Sequence, residues 1–295
     1  MSPGDVALAV LTAVLWGLAF VATRIGLDSF TPAQLAALRF LVASVPVLVL
    51  PRPAVPWPML LATGLTLFAG QFIFQFFGIA HGMPPGLASL VVHTQAFFTV
   101  LFAAVLLRER PTARQTIGMM VAFAGLAVIV TTTGHDLRLA GFMLTLVSAV
   151  SWGIGNMFLK RVGASAQVEL MVWLSLVVPI PALAVSLVAD GPGAWTHAVK
   201  SAAWGGWLAA LYLGLIGTVV GYSIWGRLLR RYPVASVAPF ALLVPFVGSL
   251  ASAALFGERF GPVRLVGMAF VLAGLAISVA PVDRWALALR ARASA

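Results

Sequence analysis

Apolar positions in this chain come in blocks of about twenty, and the polar positions gather in short breaks between them. Strict alternation, the mark of a half-buried strand, is absent, so each block predicts a helix. A bilayer core about 30 Å thick is crossed by about 20 helical residues, and the blocks match that length. They predict ten helices, at 6–24, 32–50, 59–80, 85–107, 113–131, 139–160, 169–188, 204–227, 234–256 and 262–281. Proline and glycine punctuate the ends: Pro32 suits a first helical turn, while Pro51, Pro53, Pro56 and Pro58 cannot continue a helix.

The pattern is used twice. Glu109-Arg110 followed by 115–130 recurs as Glu258-Arg259 followed by 264–279, with nine of twenty-two aligned positions identical. The shift of about 149 residues pairs Gly118 with Gly267, Gly125 with Gly274 and Pro84 with Pro233. A shift of about 136 pairs Trp16-Gly17 with Trp152-Gly153 and Arg24 with Lys160. Each copy carries five helices, and an odd number makes the second copy enter a membrane from the opposite side. The expected fold is an all-α integral membrane protein of ten transmembrane helices, arranged as two inverted-topology five-helix repeats. The first repeat is expected at 1–133 and the second at 137–282, with a short basic tail on the lipid surface at 283–295.

Composition agrees. With 61% hydrophobic and 9% charged residues and a mean hydropathy of +1.05, the chain lacks the polar surface to cover a water-soluble globule. The net charge of +10 is scattered between blocks and forms no basic face, so no nucleic-acid partner is expected. Counting Lys and Arg places twelve on the side of the two termini and five on the other, which predicts cytoplasmic termini. Asp5, with no Lys or Arg ahead of the first block, is wrong for a cleaved signal peptide, so that block reads as a permanent helix. Cysteine is absent and the four histidines show no ligand spacing, so neither a metal nor another cofactor is expected. None of the eight acidic residues falls mid-helix, which argues against a membrane enzyme using paired carboxylates.

Polar residues inside the blocks are the candidates for chemistry. Arg39 is an intramembrane cation, which either binds helix-end carbonyls or attracts an anionic solute group. Thr12, Trp16 and Phe20 share one helical face, and their counterparts are Ser148, Trp152 and Asn156. A central tryptophan either lines a wet cavity or fills space between helices. Gln71 and Gln75 share a face of the third helix, and His93, Thr94 and Gln95 interrupt the fourth. They either bridge helices or offer neutral donors and acceptors to a polar solute. Tyr222, Ser223 and Trp225 extend the same lining. Glu109 and Glu258, each followed by Arg, read as interfacial ion pairs at helix ends with a gating role open to them.

The LRERP and LFGERF ends of the fourth and ninth helices, the glycine-bearing helices that follow, the LWG and SWG stretches and the LRF at 38–40 resemble the EamA-type drug/metabolite transporter superfamily. Length, aromatic content and the His-Thr-Gln stretch are most similar to its YddG-type amino-acid exporters. The resemblance implies a central cavity between helices one to four and six to nine, with helices five and ten peripheral. It implies export of aromatic or neutral amino acids, or related small metabolites, across a bacterial inner membrane by alternating access. Multidrug, nucleotide-sugar or phosphate-type transport is the alternative; phosphate calls for several cavity cations, and only Arg39 offers one. The expected partners are a small-molecule solute and the lipid bilayer, with oligomeric state open. The candidate solute-binding residues are Trp16, Gln71, Gln75, His93, Gln95, Trp152, Asn156 and Tyr222.

Overall fold

The computed structural model describes residues 1–134, 136–162 and 167–279, and the described residues form helices and connecting loops with no strand. The expected tail at 283–295 lies outside the described residues. In order, the helices are α1 (Pro3–Gly26), α2 (Pro32–Leu48), α3 (Trp57–Ala80), α4 (Pro85–Leu106), α5 (Ala113–Val130), α6 (Leu139–Val162), α7 (Val168–Asp190), α8 (Ala194–Ser201), α9 (Trp204–Arg231), α10 (Ala238–Phe256) and α11 (Pro262–Val279). Eight of them, all but α2, α8 and α11, are long and apolar enough to cross a bilayer, and α2 and α11 are shorter apolar helices.

Local chemistry explains the boundaries. Thr31 and Thr112 each close a capping box with Gln34 and Gln115, satisfying two first-turn N–H groups apiece. Pro46 tightens the last turn of α2 into 3₁₀ geometry. The fourth helix of each repeat ends on a left-handed residue: Gly257 at φ 67° after α10, and its counterpart Arg108 at φ 55° after α4. Glycine accepts that conformation freely, whereas Arg108 carries the strain of a Cβ there. The sequence reading missed α8, because its polar, eight-residue stretch lacks the length of a span; Ala198 and Trp195 nevertheless seat it on the core.

Three long helices are not continuous: α7 breaks between Ser175 and Pro179. α4 breaks at Thr94, between His93 and Gln95, and α10 changes from 3₁₀ to α geometry at Leu242–Leu243, the equivalent point. α3 is π-helical over Gly64–Gly70, and α9 over Tyr212–Val220. Such π segments widen the helix and re-aim the side chains that follow, here Gln71 and Tyr222.

Lipid tails are as apolar as leucine, so packing between membrane helices rests on close approach at small residues. α5 and α11 lie against each other through Gly118, Gly125, Gly267 and Gly274. A Cβ on Gly118 would stand 2.6 Å from Gly274 O, and one on Gly125 would stand 2.6 Å from Gly267 O. Gly17 of α1 meets Val247 and Gly248 of α10, and its counterpart Gly153 of α6 meets Phe98 and Thr99 of α4. Two large buried apolar clusters result, one centred on Phe40, Phe68, Phe76, Leu174 and Leu213, the other on Leu87, Phe97, Phe142, Leu126 and Val271, beside a small one of Ala9, Leu228 and Val237. A cavity lies between the helices that carry them.

Candidate functional site

The cavity has a volume of about 230 Å³ and is built mainly by α1, α2, α3, α4, α6, α9 and α10. Seven of the eight candidate solute-binding residues line it: Trp16, Gln71, Gln75, His93, Gln95, Trp152 and Tyr222. Arg39 lines it as well.

Asn156 does not line it. Its Nδ2 donates to Thr99 Oγ1 at 2.9 Å, so it ties α6 to α4 instead. Thr12 and Ser148 are also absent from the lining; each is fully buried and donates back to its own helix, to Leu8 O at 2.9 Å and to Thr145 O at 2.6 Å. Four-residue spacing puts three side chains on one stripe, but neighbouring helices close over most of it.

Aromatic walls hold the site. Trp16 Nε1 donates to Gly217 O at 2.9 Å, a carbonyl in the π segment of α9, which satisfies an indole N–H far from water. Its ring stands 5.3 Å from Tyr222 and 5.2 Å from Trp225. Trp152 meets Phe72 edge-on at 6.3 Å. Phe72 lies over the guanidinium of Arg39, 3.8 Å from ring centroid to Cζ, a cation–π contact that holds the charge in apolar surroundings. Arg39 Nε donates to Thr218 Oγ1 at 3.2 Å, and Thr218 donates onward to Leu213 O at 2.9 Å. The guanidinium is thus held by a side-chain hydroxyl and not by the helix-end carbonyls expected, while the side chain borders the cavity.

Polar groups around it are only partly satisfied. Gln71 Nε2 donates to Gln75 Oε1 at 2.6 Å, while the buried Oε1 atoms of Gln71 and Gln95 have no hydrogen-bond partner among the described residues. His93 Nδ1 stands 2.6 Å from Ser89 O. A carbonyl can only accept, so Nδ1 carries the proton and Nε2 of the neutral ring is an acceptor.

Sequence reasoning missed Ala19, Phe72, Val92, Ala241 and Val244, which also line the cavity. Apolar lining is chemically the same as core. Ala19, Phe72 and Val92 left a signal, because each falls three residues from a polar or aromatic candidate, Trp16, Gln75 and Gln95 respectively.

The two helix-end glutamates differ. Glu109 is exposed and pairs with Lys160, not with the Arg that follows it. Glu258 forms no ion pair among the described residues, which corrects the expectation of paired ions at both ends. Its carboxylate accepts from Gly86 N–H, at 3.3 and 3.2 Å to its two oxygens, and from Ser252 Oγ at 2.6 Å. Burial pushes the Glu258 carboxyl above its usual range, against the lowering effect of the Ser252 and Gly86 hydrogen bonds and of Arg264; Asp136 adds to the rise. Near it, Ser249 Oγ donates to Gly86 O at 3.1 Å. The first half of α4 (Pro85–His93) therefore closes on α10 along Leu243–Phe256, whereas the second half of α4 (Gln95–Leu106) makes no comparable contact with α10. These contacts close α4 on α10 at the Glu258 end of the two helices.

The EamA-like transporter family matches this chain in two stretches, residues 5–131 and 139–280. A probable amino-acid metabolite efflux pump of Escherichia coli (strain K12) is 39% identical over 98% of this chain and 99% of its own length. Its namesake in Salmonella typhimurium is 41% identical over 95% of this chain and 96% of its own. A probable terminal-alkyne amino-acid exporter of Streptantibioticus cattleyicolor is 32% identical over 97% and 95%. A solved crystal structure aligns with a TM-score of 0.61 at 20% identity, over 94% of this chain and 97% of that one, which extends the likeness to the fold. This chain belongs to the EamA-like transporter family: it is a multi-pass membrane protein that carries a small solute, and not an enzyme.

Proposed function

We propose that this protein exports neutral or aromatic amino acids, or closely related metabolites, across a bacterial inner membrane by alternating access. The cavity carries the reading: aromatic walls offer contact to an apolar side chain, and Gln71, Gln75, His93 and Gln95 offer hydrogen bonds to a compact polar end. At about 230 Å³ it is smaller than the roughly 300–1,000 Å³ of sites that take drug-sized ligands. Arg39 is the one Lys or Arg in the lining, too little for a nucleotide sugar or a phosphate ester. The names of the relatives point the same way.

Purified protein in liposomes is expected to take up neutral amino acids and not phosphorylated sugars. The Gln71→Ala and His93→Ala variants should lose about five- to hundredfold in apparent affinity, the effect of one missing hydrogen bond to a buried group. Phosphorylated-sugar uptake without amino-acid uptake would place the protein elsewhere in the superfamily.

The topology we propose is ten crossings in two inverted repeats, 1–133 and 137–282. α5 and α11 support it: Gly118 meets Gly274 and Gly125 meets Gly267. Exchanging each residue for its repeat partner turns the first contact into the second, as a two-fold axis crossing an antiparallel pair requires. The exchange also turns the Gly17–Val247 contact into Gly153–Phe98. With the termini cytoplasmic, as the charge bias predicts, the sealed end beside Glu258 faces outward and the state is open toward the cytoplasm. A reporter fused after Ala295 should then read cytoplasmic; an external signal there would reverse the assignment.

A further inference from the structure

Arg39 is 3% exposed, and among the described residues no acidic residue lines its cavity. A buried cation without a counter-anion is costly, and one bordering a solute cavity implies that the solute brings the anion. The geometry of the guanidinium says how it would bind. Phe72 covers one face at 3.8 Å, and Thr218 occupies Nε at 3.2 Å with a hydroxyl already committed to Leu213 O. Nη1 and Nη2 have no hydrogen-bond partner in the protein among the described residues. What is left free is an in-plane pair of donors, the arrangement that takes a carboxylate with two parallel bonds.

The same cavity holds the opposite need. Oε1 of Gln71, on a side chain 1% exposed, and Oε1 of Gln95 are buried acceptors with no donor among the described residues. A buried carbonyl left unpaired is as unfavourable as any lost hydrogen bond. A simple anion would pair Arg39 and leave both carbonyls unmet. A simple amine would meet the carbonyls and bring a second cation into a low-dielectric cavity that already holds one. A solute carrying both a carboxylate and an ammonium group answers both.

We propose that Arg39 receives the carboxylate of the transported amino acid and that the side-chain carbonyls of Gln71 and Gln95 receive its ammonium group. This rests on the amino-acid reading above and gives it a direction: Arg39 and the two glutamines grip the zwitterionic end, and the side chain lies against the aromatic walls. The cavity therefore selects for the paired charges first and for the side chain second.

The test uses the wild-type protein in liposomes and compounds that share one side chain: phenylalanine, its amide, phenethylamine and 3-phenylpropionate, each competing with uptake of a labelled neutral amino acid. Phenylalanine is expected to compete about ten- to a hundredfold better than the other three, the cost of removing a charge-assisted interaction. Arg39→Gln should erase the preference over the amide and phenethylamine, and Arg39→Lys, a point charge without the fork, should restore part of it. Equal competition by phenethylamine and phenylalanine in the wild type would overturn the assignment, with no variant needed. So would an Arg39→Gln protein of unchanged thermal stability that keeps the full preference. Uptake of no amino acid at all would instead overturn the export reading on which the assignment stands.

Discussion

Gly274→Leu is expected to yield no stable folded protein, while Ala276→Leu, two residues further along α11, is expected to leave folding unchanged. A Cβ at Gly274 would collide with Gly118 O and stand 2.8 Å from both N and Cβ of Ala122. Those atoms are backbone or rigidly attached to it, so no rotamer change relieves the clash, and α5 and α11 must separate. Overpacking a core costs about 1–3 kcal/mol where neighbours can yield; here separation would also break the paired approaches at Gly125 and Gly267. α11 packs chiefly on α5, so little else holds it in place. Ala276 is exposed, so leucine there adds the same bulk against the surroundings. Monodisperse yield in mild detergent and the unfolding temperature measure both variants. Equal behaviour of the two would show that the glycines are not what joins these helices.

That glycine pattern was legible because close approach demands a residue type, and a repeated demand leaves a repeated letter. The polar cavity residues were legible for a related reason: Gln71, Gln75 and His93 are costly inside an apolar helix unless something answers them. The same reasoning misplaced Asn156, since an amide satisfied by Thr99 and one facing a solute look alike in sequence. Arg39 shows the limit in another form. Its burial could be argued from its position, but Phe72 over its face and Thr218 at its edge come from different helices, and no local spacing announces them. The π segments in α3 and α9 were invisible because no local spacing marks them; what is seen only in three dimensions is that Leu67 in the first packs on Gly155, and that Trp16 packs on Gly221 just after the second. Glu258 was found, but its partners were not: a following Arg suggested an ion pair, whereas the carboxylate accepts from Ser252 Oγ and from a backbone N–H 172 residues away.

Glu258→Ala is expected to open the sealed end of the cavity, and Glu258→Gln is not. The carboxylate joins the last turn of α10, through Ser252, to the first turn of α4, through Gly86 N–H. Alanine removes the acceptor and leaves that N–H without its partner, whereas glutamine keeps an acceptor oxygen of the same reach. Leaving a buried N–H unpaired costs about 1–3 kcal/mol, so the balance between sealed and open ends should shift about five- to a hundredfold in the alanine variant. Val92→Cys in the cavity lining reports the shift, as the chain has no other cysteine. Its labelling by an impermeant thiol reagent, supplied only from the Glu258 side, should rise by that factor. Acid should act in the opposite sense. Burial raises the Glu258 pKa in the sealed state, so the sealed state binds the proton more tightly than an open, hydrated one. Lowering the pH through the raised pKa therefore favours sealing and slows labelling. Arg264 and Asp136, the charged groups that act on Glu258, pull its pKa in opposite directions. Glu258→Gln, which cannot titrate, should label slowly at every pH. Fast labelling of the glutamine variant, or acid-slowed labelling that persists in it, would show that the seal does not depend on this carboxylate.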